Sequence, residues 1–387
     1  MDYYKEALKL HEKHRGKWEI RSKTKIESLR DLSLAYTPGV AKPCIEIAEN
    51  REEVYKYTAK WNTVAIVTDG SAALGLGNIG GMAALPIMEG KAILFKEFAG
   101  IDAIPICLET QEADEIVNIL KNIVPSFGGI NLEDIAAPKC FEIEKKLQEL
   151  VDIPVFHDDQ HGTAIVVLAA VINGAKVLGK DPVKMKVVVN GAGAAGIAIT
   201  QMLTTFGIKD IIICDSTGII NCRRNDLNNA KKEISKVTNA YQLDGKLEDA
   251  IKGRDLFIGV SQAEILTQDM IKNMSKEPMI FAMSNPEPEI LPELAQKAGA
   301  KIIGTGRSDY PNQINNLLAF PGVFRGALDA RVDKITIDMQ IAAAKAIAES
   351  ISDADLSYEK ILPTVFDKDI VFNVASAIAD SWSKHKK

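Results

Sequence analysis

The chain of 387 residues has no CxxC pair, no long apolar run and no excess of basic residues. Its five cysteines, Cys44, Cys107, Cys140, Cys214 and Cys222, are scattered and odd in number. That pattern argues against a disulfide framework and a zinc ribbon, and most of the thiols read as buried apolar groups. The longest apolar stretch, Ala164 to Ile172, covers nine residues, too few to span a bilayer. The opening run MDYYKEALKLHEKHRGKW is charged and lacks the apolar core of a signal peptide. A cytoplasmic protein without membrane association is expected. The net charge of −6 offers no basic footprint for nucleic acid. Arg223–Arg224 and the closing Lys384, His385, Lys386 and Lys387 read as solvated surface. No internal repeat or low-complexity linker is visible.

What is there is ordinary in bulk and informative in pattern. At this length two or three domains with a sizeable core are expected, stable without disulfides or structural metals. Residues 2–15 have helical spacing and suit a packing or dimer-contact helix. Short apolar runs at 64–68, 104–108 and 153–156 predict strands ending in polar or glycine-rich loops. Residues 163–178 predict a buried helix. From residue 186 strands at 186–190, 210–214, 255–260, 279–283 and 301–303 alternate with helices, among them 225–237 and 247–252. Beyond residue 326 the pattern is helical. The fold class is therefore α/β in two domains. Residues 1–160 form a mixed α/β N-terminal domain. Residues 161–387 form a doubly wound parallel-sheet (Rossmann-like) domain with trailing helices.

Gly191, Ala192, Gly193, Ala194, Ala195 and Gly196 spell GxGxxG after a β-branched run and before a helix. The first glycine permits the tight turn, the second lets backbone approach a pyrophosphate, and the third lets helix and strand pack closely. Helix-start N–H groups then hold the anion. Asp215 follows the next strand, where a carboxylate bonds the adenosine ribose hydroxyls. A carboxylate there repels a 2′-phosphate, so NAD is expected and NADP possible if Arg223 and Arg224 fold back.

Two acidic doublets, Glu133–Asp134 and Asp158–Asp159, follow apolar sequence in loop-like contexts. Neighbouring carboxylates suit a hard cation such as Mg2+ or Mn2+. Alone, either doublet reads as a helix cap or surface acid, and only together do they suggest a metal. His157 and His161 in HDDQH do not have a standard zinc spacing. Lys91, in MEGKAILF, lies beside a strand-like apolar run, where burial lowers a lysine pKa towards that of a base. Without further support Lys91 is a surface lysine, and Tyr36, in LAYTPGVAKP, a packing residue.

Taken together, the segments LAYTPGVAKPC (34–44), VTDGSAALGLGNIG (67–80), MEGKAILFKEFAGID (88–102), INLEDIAAPKCFEIE (130–144), VFHDDQHGTA (155–164), GAGAAG (191–196), SNPEPE (284–289) and NNLLAFPGVFRGAL (315–328) resemble the malic enzyme family. The chain is most similar to its short prokaryotic form, without the acyltransferase-like domain of longer members. The resemblance implies oxidative decarboxylation of L-malate to pyruvate and CO2 with reduction of NAD(P). It gives Lys91 the role of general base and Tyr36 that of the acid protonating the enol. Asp158 is the carboxylate beside the lysine. Glu133, Asp134 and Asp159 are the divalent-metal ligands, and Asn285 and Asn316 contact substrate and nicotinamide. A homodimer is expected, with the N-terminal helix and the Tyr36 loop across a two-fold axis. One position departs from the family: an arginine that binds a malate carboxylate is Ala72 here. Backbone amides of residues 75–80 or a basic residue of a partner subunit are the replacements considered. The alternatives are a malolactic-type decarboxylase, a metal-independent amino-acid dehydrogenase of similar layout, and a non-catalytic dinucleotide sensor.

Overall fold

Two runs of β-branched residues explain the architecture. In the computed structural model, which describes residues 3–73 and 75–385, each run becomes the centre of a parallel sheet. Lys386 and Lys387 of the closing basic run lie outside the described residues. The first sheet comprises β1 (Thr63–Thr68), β2 (Asp102–Cys107), β3 (Gly129–Leu132) and β4 (Val155–His157), in the order β2-β1-β3-β4. The second comprises β5 (Lys186–Asn190), β6 (Asp210–Asp215), β7 (Gly218–Ile219), β8 (Leu256–Gly259), β9 (Met279–Ala282) and β10 (Ile302–Thr305). Its order is β10-β9-β8-β5-β6-β7, with only β7 antiparallel. A parallel strand is covered on both faces, which is why TVAIVT is buried throughout.

The strand period of two sorts these side chains into separate cores. Val64 and Ile66 point into one, Ala65 and Val67 into another. Val187 and Val189 join Val64 and Ile66 in a single core running between the two sheets, while Val188 faces the far side of its own sheet. The Asp158–Val177 helix fills that shared core and is apolar nearly all round. The Phe320–Asp329 helix packs back on the Gly80–Ala99 helix. Phe95 meets Phe320 at 4.8 Å and Phe324 at 5.4 Å between ring centroids. Among the described residues no helix is long and apolar enough to cross a membrane.

Most expected elements are present within a few residues of their sequence positions. Three differ. The strand-like run after Lys91 is helix, because Ala84, Met88, Lys91, Ala92 and Phe95 recur at three- and four-residue spacing and form a buried face. Asp158 and Asp159 lie in the first turn of a helix, not in a loop. The short, glycine-led β3 was not anticipated. At the N-terminus the expected helix forms as Tyr3–His14, yet no described residue before Lys60 is buried.

Candidate active site

β1, β3 and β4 lie side by side, so their C-terminal ends deliver Asp69, Glu133–Asp134 and Asp158–Asp159 to one rim. Lys91 reaches them from the buried face of its helix. Its Nζ donates to Glu133 Oε1 at 2.9 Å and to Asp158 Oδ2, and lies 4.0 Å from the Phe320 ring centroid. Asn316 Nδ2 also donates to Asp158 Oδ2, at 2.5 Å. Asn131 Nδ2 holds Glu133 Oε2 at 2.8 Å, and the Asp134 amide holds Asp159 Oδ2 at 2.8 Å. Gly162 leaves room for this cluster: a Cβ there would sit 1.9 Å from Asp158 Oδ1.

Charge dominates the site. Asp69 is matched by Lys139, 2.5 Å away, which leaves Glu133, Asp134, Asp158 and Asp159 against Lys91 alone. Burial pushes the Asp158 carboxyl up to about 7, with Lys91 opposing and Glu133 reinforcing the rise. Burial, then Asp159 and Glu133, push Asp134 up to about 8. Glu133 and Asp159 are raised too, chiefly by burial. Lys91 differs from the sequence expectation. Burial does pull its pKa down, but attraction to Asp158 and Glu133 outweighs burial and the net shift is upward. In this arrangement Lys91 keeps its proton.

Among the described residues no group of three or more His, Cys, Asp or Glu side chains stands as a ready-made metal cage. The donor set nonetheless fits a hard cation. Glu133, Asp134 and Asp159 repel one another, and Asp134 Oδ2 is buried with no hydrogen-bond donor. Hard cations of this kind take carboxylate oxygens and complete their shell with water and substrate oxygens.

The glycine turn fits a pyrophosphate. Gly191 has φ 116°, and a Cβ there would lie 2.5 Å from Val260 O. A Cβ on Gly196 would lie 1.8 Å from Gly191 O. A Cβ on Gly193 would meet nothing within 4 Å, so this glycine leaves open space before the Ala194–Phe206 helix. Asn285 follows β9. Its amide nitrogen would be 2.7 Å from a Cβ on Gly306, and Pro286 Cδ 3.3 Å from one on Gly75. The loops of the two sheets thus touch beside the site. Asp215 ends β6 as expected, but its carboxylate bonds Arg224 and Lys231.

Two expected parts are not brought together. Tyr36 caps the Leu29–Ala35 helix, is 66% exposed, and its hydroxyl has no hydrogen bond to Lys91 or to the carboxylates. At the Ala72 position the backbone is mostly engaged. The amides of Leu76 and Gly77 bond Ala73 O, and those of Ile79 and Gly80 bond Gly70 O. Four amides of that stretch are therefore unavailable to a substrate carboxylate.

Sequence reasoning missed two buried carboxylates. Glu289 accepts from the Ser261 and Ser284 amides and ties together the loops after β8 and β9. Glu144 accepts from the His157 amide, Gln160 and His161 Nε2, and so fixes the first turn that carries Asp158 and Asp159. Its signal was a lone acid among Cys140, Ile143 and Leu147 on the apolar face of the Lys139–Leu150 helix. Glu144→Ala strands His161 and the His157 amide, and is expected to cost about 3 kcal/mol of stability. Urea unfolding of wild type and variant checks this; an unchanged midpoint removes Glu144 from the framework.

Residues 15–148 match the malic enzyme N-terminal domain family, and residues 160–382 the malic enzyme NAD binding domain family. The chain is 56% identical over 380 residues to a bifunctional malic/malolactic enzyme of Bacillus subtilis, covering 98% of this chain and 93% of that protein. It is 47% identical over 385 residues to an NADP-dependent malic enzyme of Escherichia coli, covering 94% of this chain and 50% of that one. The crystal structure of an NAD-dependent malic enzyme from Thermotoga maritima is 52% identical, with a TM-score of 0.93 over 96% of this chain and 98% of that chain. With both domain families matched in order along it, the chain belongs to the malic enzyme family.

Proposed function

We propose that this chain oxidises and decarboxylates L-malate to pyruvate and CO2, with Lys91 as base and a divalent cation held by Glu133, Asp134 and Asp159. The observation that carries this is Lys91 between Glu133 and Asp158 on the rim that also bears Asp134 and Asp159. When bound, the dinucleotide supplies the two-electron acceptor, and Mg2+ or Mn2+ supplies the Lewis acid for the malate hydroxyl and the charge that steadies the enolate. Every other part belongs to the protein. Glu133, once neutralised, ceases to hold Lys91 protonated. Lys91 Nζ then passes its proton to Asp158 Oδ2 and takes the malate hydroxyl proton. Asn316 holds Asp158 in place through this exchange. Asn285, where the loops of the two sheets meet, would contact the nicotinamide and substrate. The GAGAAG turn holds the pyrophosphate.

The chain divides near residue 160, with the Phe320–Asp329 helix returning to the first sheet. Its five free cysteines suit a reducing compartment, and we place the enzyme in the cytoplasm.

A homodimer completes the site. The described N-terminal segment buries nothing and exposes Tyr4, Leu8, Ile20, Leu29 and Leu34. The same segment carries Tyr36, the proton donor that each site needs to convert the enolate to pyruvate. We infer that seating these side chains on a second copy would bring that copy's Tyr36 to the Lys91 rim. It also gives a route for a basic residue to replace the arginine absent at Ala72.

Steady-state malate oxidation with and without Mn2+ tests the reaction. Asp159→Asn is expected to raise the Mn2+ concentration for half-maximal rate more than about tenfold. An unaltered Mn2+ titration removes Asp159 from the ligand set. The name of the Bacillus subtilis relative favours one second reading, a malolactic activity. Lactate as the sole product, with no net absorbance change from NADH or NADPH, would establish it.

A further inference from the structure

Among the described residues six Asp or Glu side chains are buried: Asp69, Glu133, Asp134, Glu144, Asp158 and Glu289. Four of them have a basic side chain at ion-pair distance. Asp69 has Lys139, Glu144 has His161, and Glu133 and Asp158 share Lys91. Asp134 is given above to the divalent cation. Glu289 is left over. Its Oε1 accepts from the Ser261 amide at 2.9 Å and its Oε2 from the Ser284 amide at 3.0 Å. Both oxygens accept N–H bonds, which suits the ionised form. Burial raises its pKa and backbone amides oppose the rise, with no charged group taking part. The neighbouring cation, Arg307, pairs with Glu287 and Asp309 instead. An anion left alone in a protein interior is costly, and such charges are as a rule matched by a cation.

The place of Glu289 indicates which cation is missing. Gly259, the last residue of β8, makes room for it: a Cβ there would lie 2.4 Å from Glu289 Cδ. Ser261 Oγ accepts from Asn190 Nδ2 at 2.7 Å, and Asn190 ends β5 just before the glycine turn. Asn285 directly follows Ser284. Contacts therefore run unbroken from the pyrophosphate turn, through Glu289, to Asn285. In a doubly wound sheet a dinucleotide crosses the carboxyl ends of the strands where their order reverses, with one half on each side. Here β5 lies between β6 and β8. The adenosine half belongs to the β6 side, so the nicotinamide half falls towards β8 and β9, the two strands that Glu289 ties. The oxidised ring carries one positive charge, and hydride addition removes it.

We propose that the unmatched Glu289 anion makes the site discriminate between the redox states of its cofactor, favouring the oxidised dinucleotide and easing release of the reduced one. This rests on the dinucleotide-binding reading above. Calorimetric dissociation constants for NAD+ and NADH, and for NADP+ and NADPH, test it without turnover. Glu289→Gln keeps the size and removes the charge. It is expected to weaken the oxidised form relative to the reduced by about three- to tenfold. Glu289→Asp keeps the charge, and Asn190→Ala cuts the tie to Ser261 without touching it. Both are expected to leave the ratio at its wild-type value, even where they weaken both forms. A purely structural Glu289 would weaken both forms alike in Glu289→Gln, and that unmoved ratio overturns the proposal. An equal shift of the ratio in Glu289→Asp or Asn190→Ala overturns it too. So does wild type binding the reduced form about tenfold tighter, a bias that leaves no room for an attracting unit charge. Failure of wild type to bind any of the four removes the dinucleotide-binding reading together with this one. Binding without malate oxidation counts against the reaction alone, and the ratios still decide this inference.

Discussion

Mixing two inactive variants, Tyr36→Phe and Lys91→Ala, is expected to restore about a quarter of wild-type malate oxidation. The reasoning is geometric. Tyr36 lies in a segment that buries none of its described side chains, and its hydroxyl bonds nothing at the Lys91 rim. If each site takes its lysine from one copy and its tyrosine from the other, every mixed dimer has one intact site and one doubly damaged site. Random exchange makes about half of the dimers mixed, and half of their sites work. Each parent alone falls about 100- to 10,000-fold, the usual contribution of a positioned acid or base. The measurement is the rate after co-refolding equal amounts of the two variants. No gain over the parents places Tyr36 in the same copy as its lysine and sinks the shared site.

Lys91→Ala on its own carries the second large effect. Its rate loss is expected in the same 100- to 10,000-fold range, while dinucleotide binding, followed by NADPH fluorescence, persists. A second signature separates a lost base from a merely broken cluster. Lys91 is the cation among Glu133, Asp134, Asp158 and Asp159, and its removal leaves buried carboxyls without compensation. A carboxyl whose folded pKa lies above its unfolded value costs stability above the unfolded value. That cost disappears as the pH falls below it. For Asp158, near 7 even with Lys91 present, the cost grows from about pH 4 upward. In EDTA, Lys91→Ala should therefore lose more stability at pH 8 than at pH 5. Unchanged turnover would remove the lysine from the chemistry, and an equal stability loss at both pH values would remove the electrostatic account.

How much of this was legible in the residues depended on how local the cause was. The β-branched runs of β1 and β5 announced buried strands because both faces of a parallel strand are covered. The glycine turn was readable because each glycine answers a separate steric demand, one of which is the open space at Gly193. The Lys91 helix was misread because AILF, taken alone, suits a strand. Only the wider spacing from Ala84 to Phe95 reveals its face. The position of Lys91 was legible, but its protonation was not. Local apolarity pulled the expectation one way, and two carboxylates from distant strands pull the actual group the other. Asp215 is a like case. Its place at the strand end follows from the fold, but its bonds to Arg224 and to Lys231, 16 residues on, do not. Glu144 and Glu289 close two of the family-like segments, 130–144 and 284–289, but no metal or acid–base pattern singled them out. Each serves backbone amides or neighbours that only the folded chain assembles.

The unburied stretch before Lys60 has one more consequence. On the proposed dimer, its apolar side chains find their cover only by association, so dilution should act on this enzyme as an inhibitor would. Below the dissociation constant, specific activity falls with protein concentration, and thermal stability falls with it by mass action. Abundance then sets not only how much enzyme a cell holds but what fraction of it is switched on.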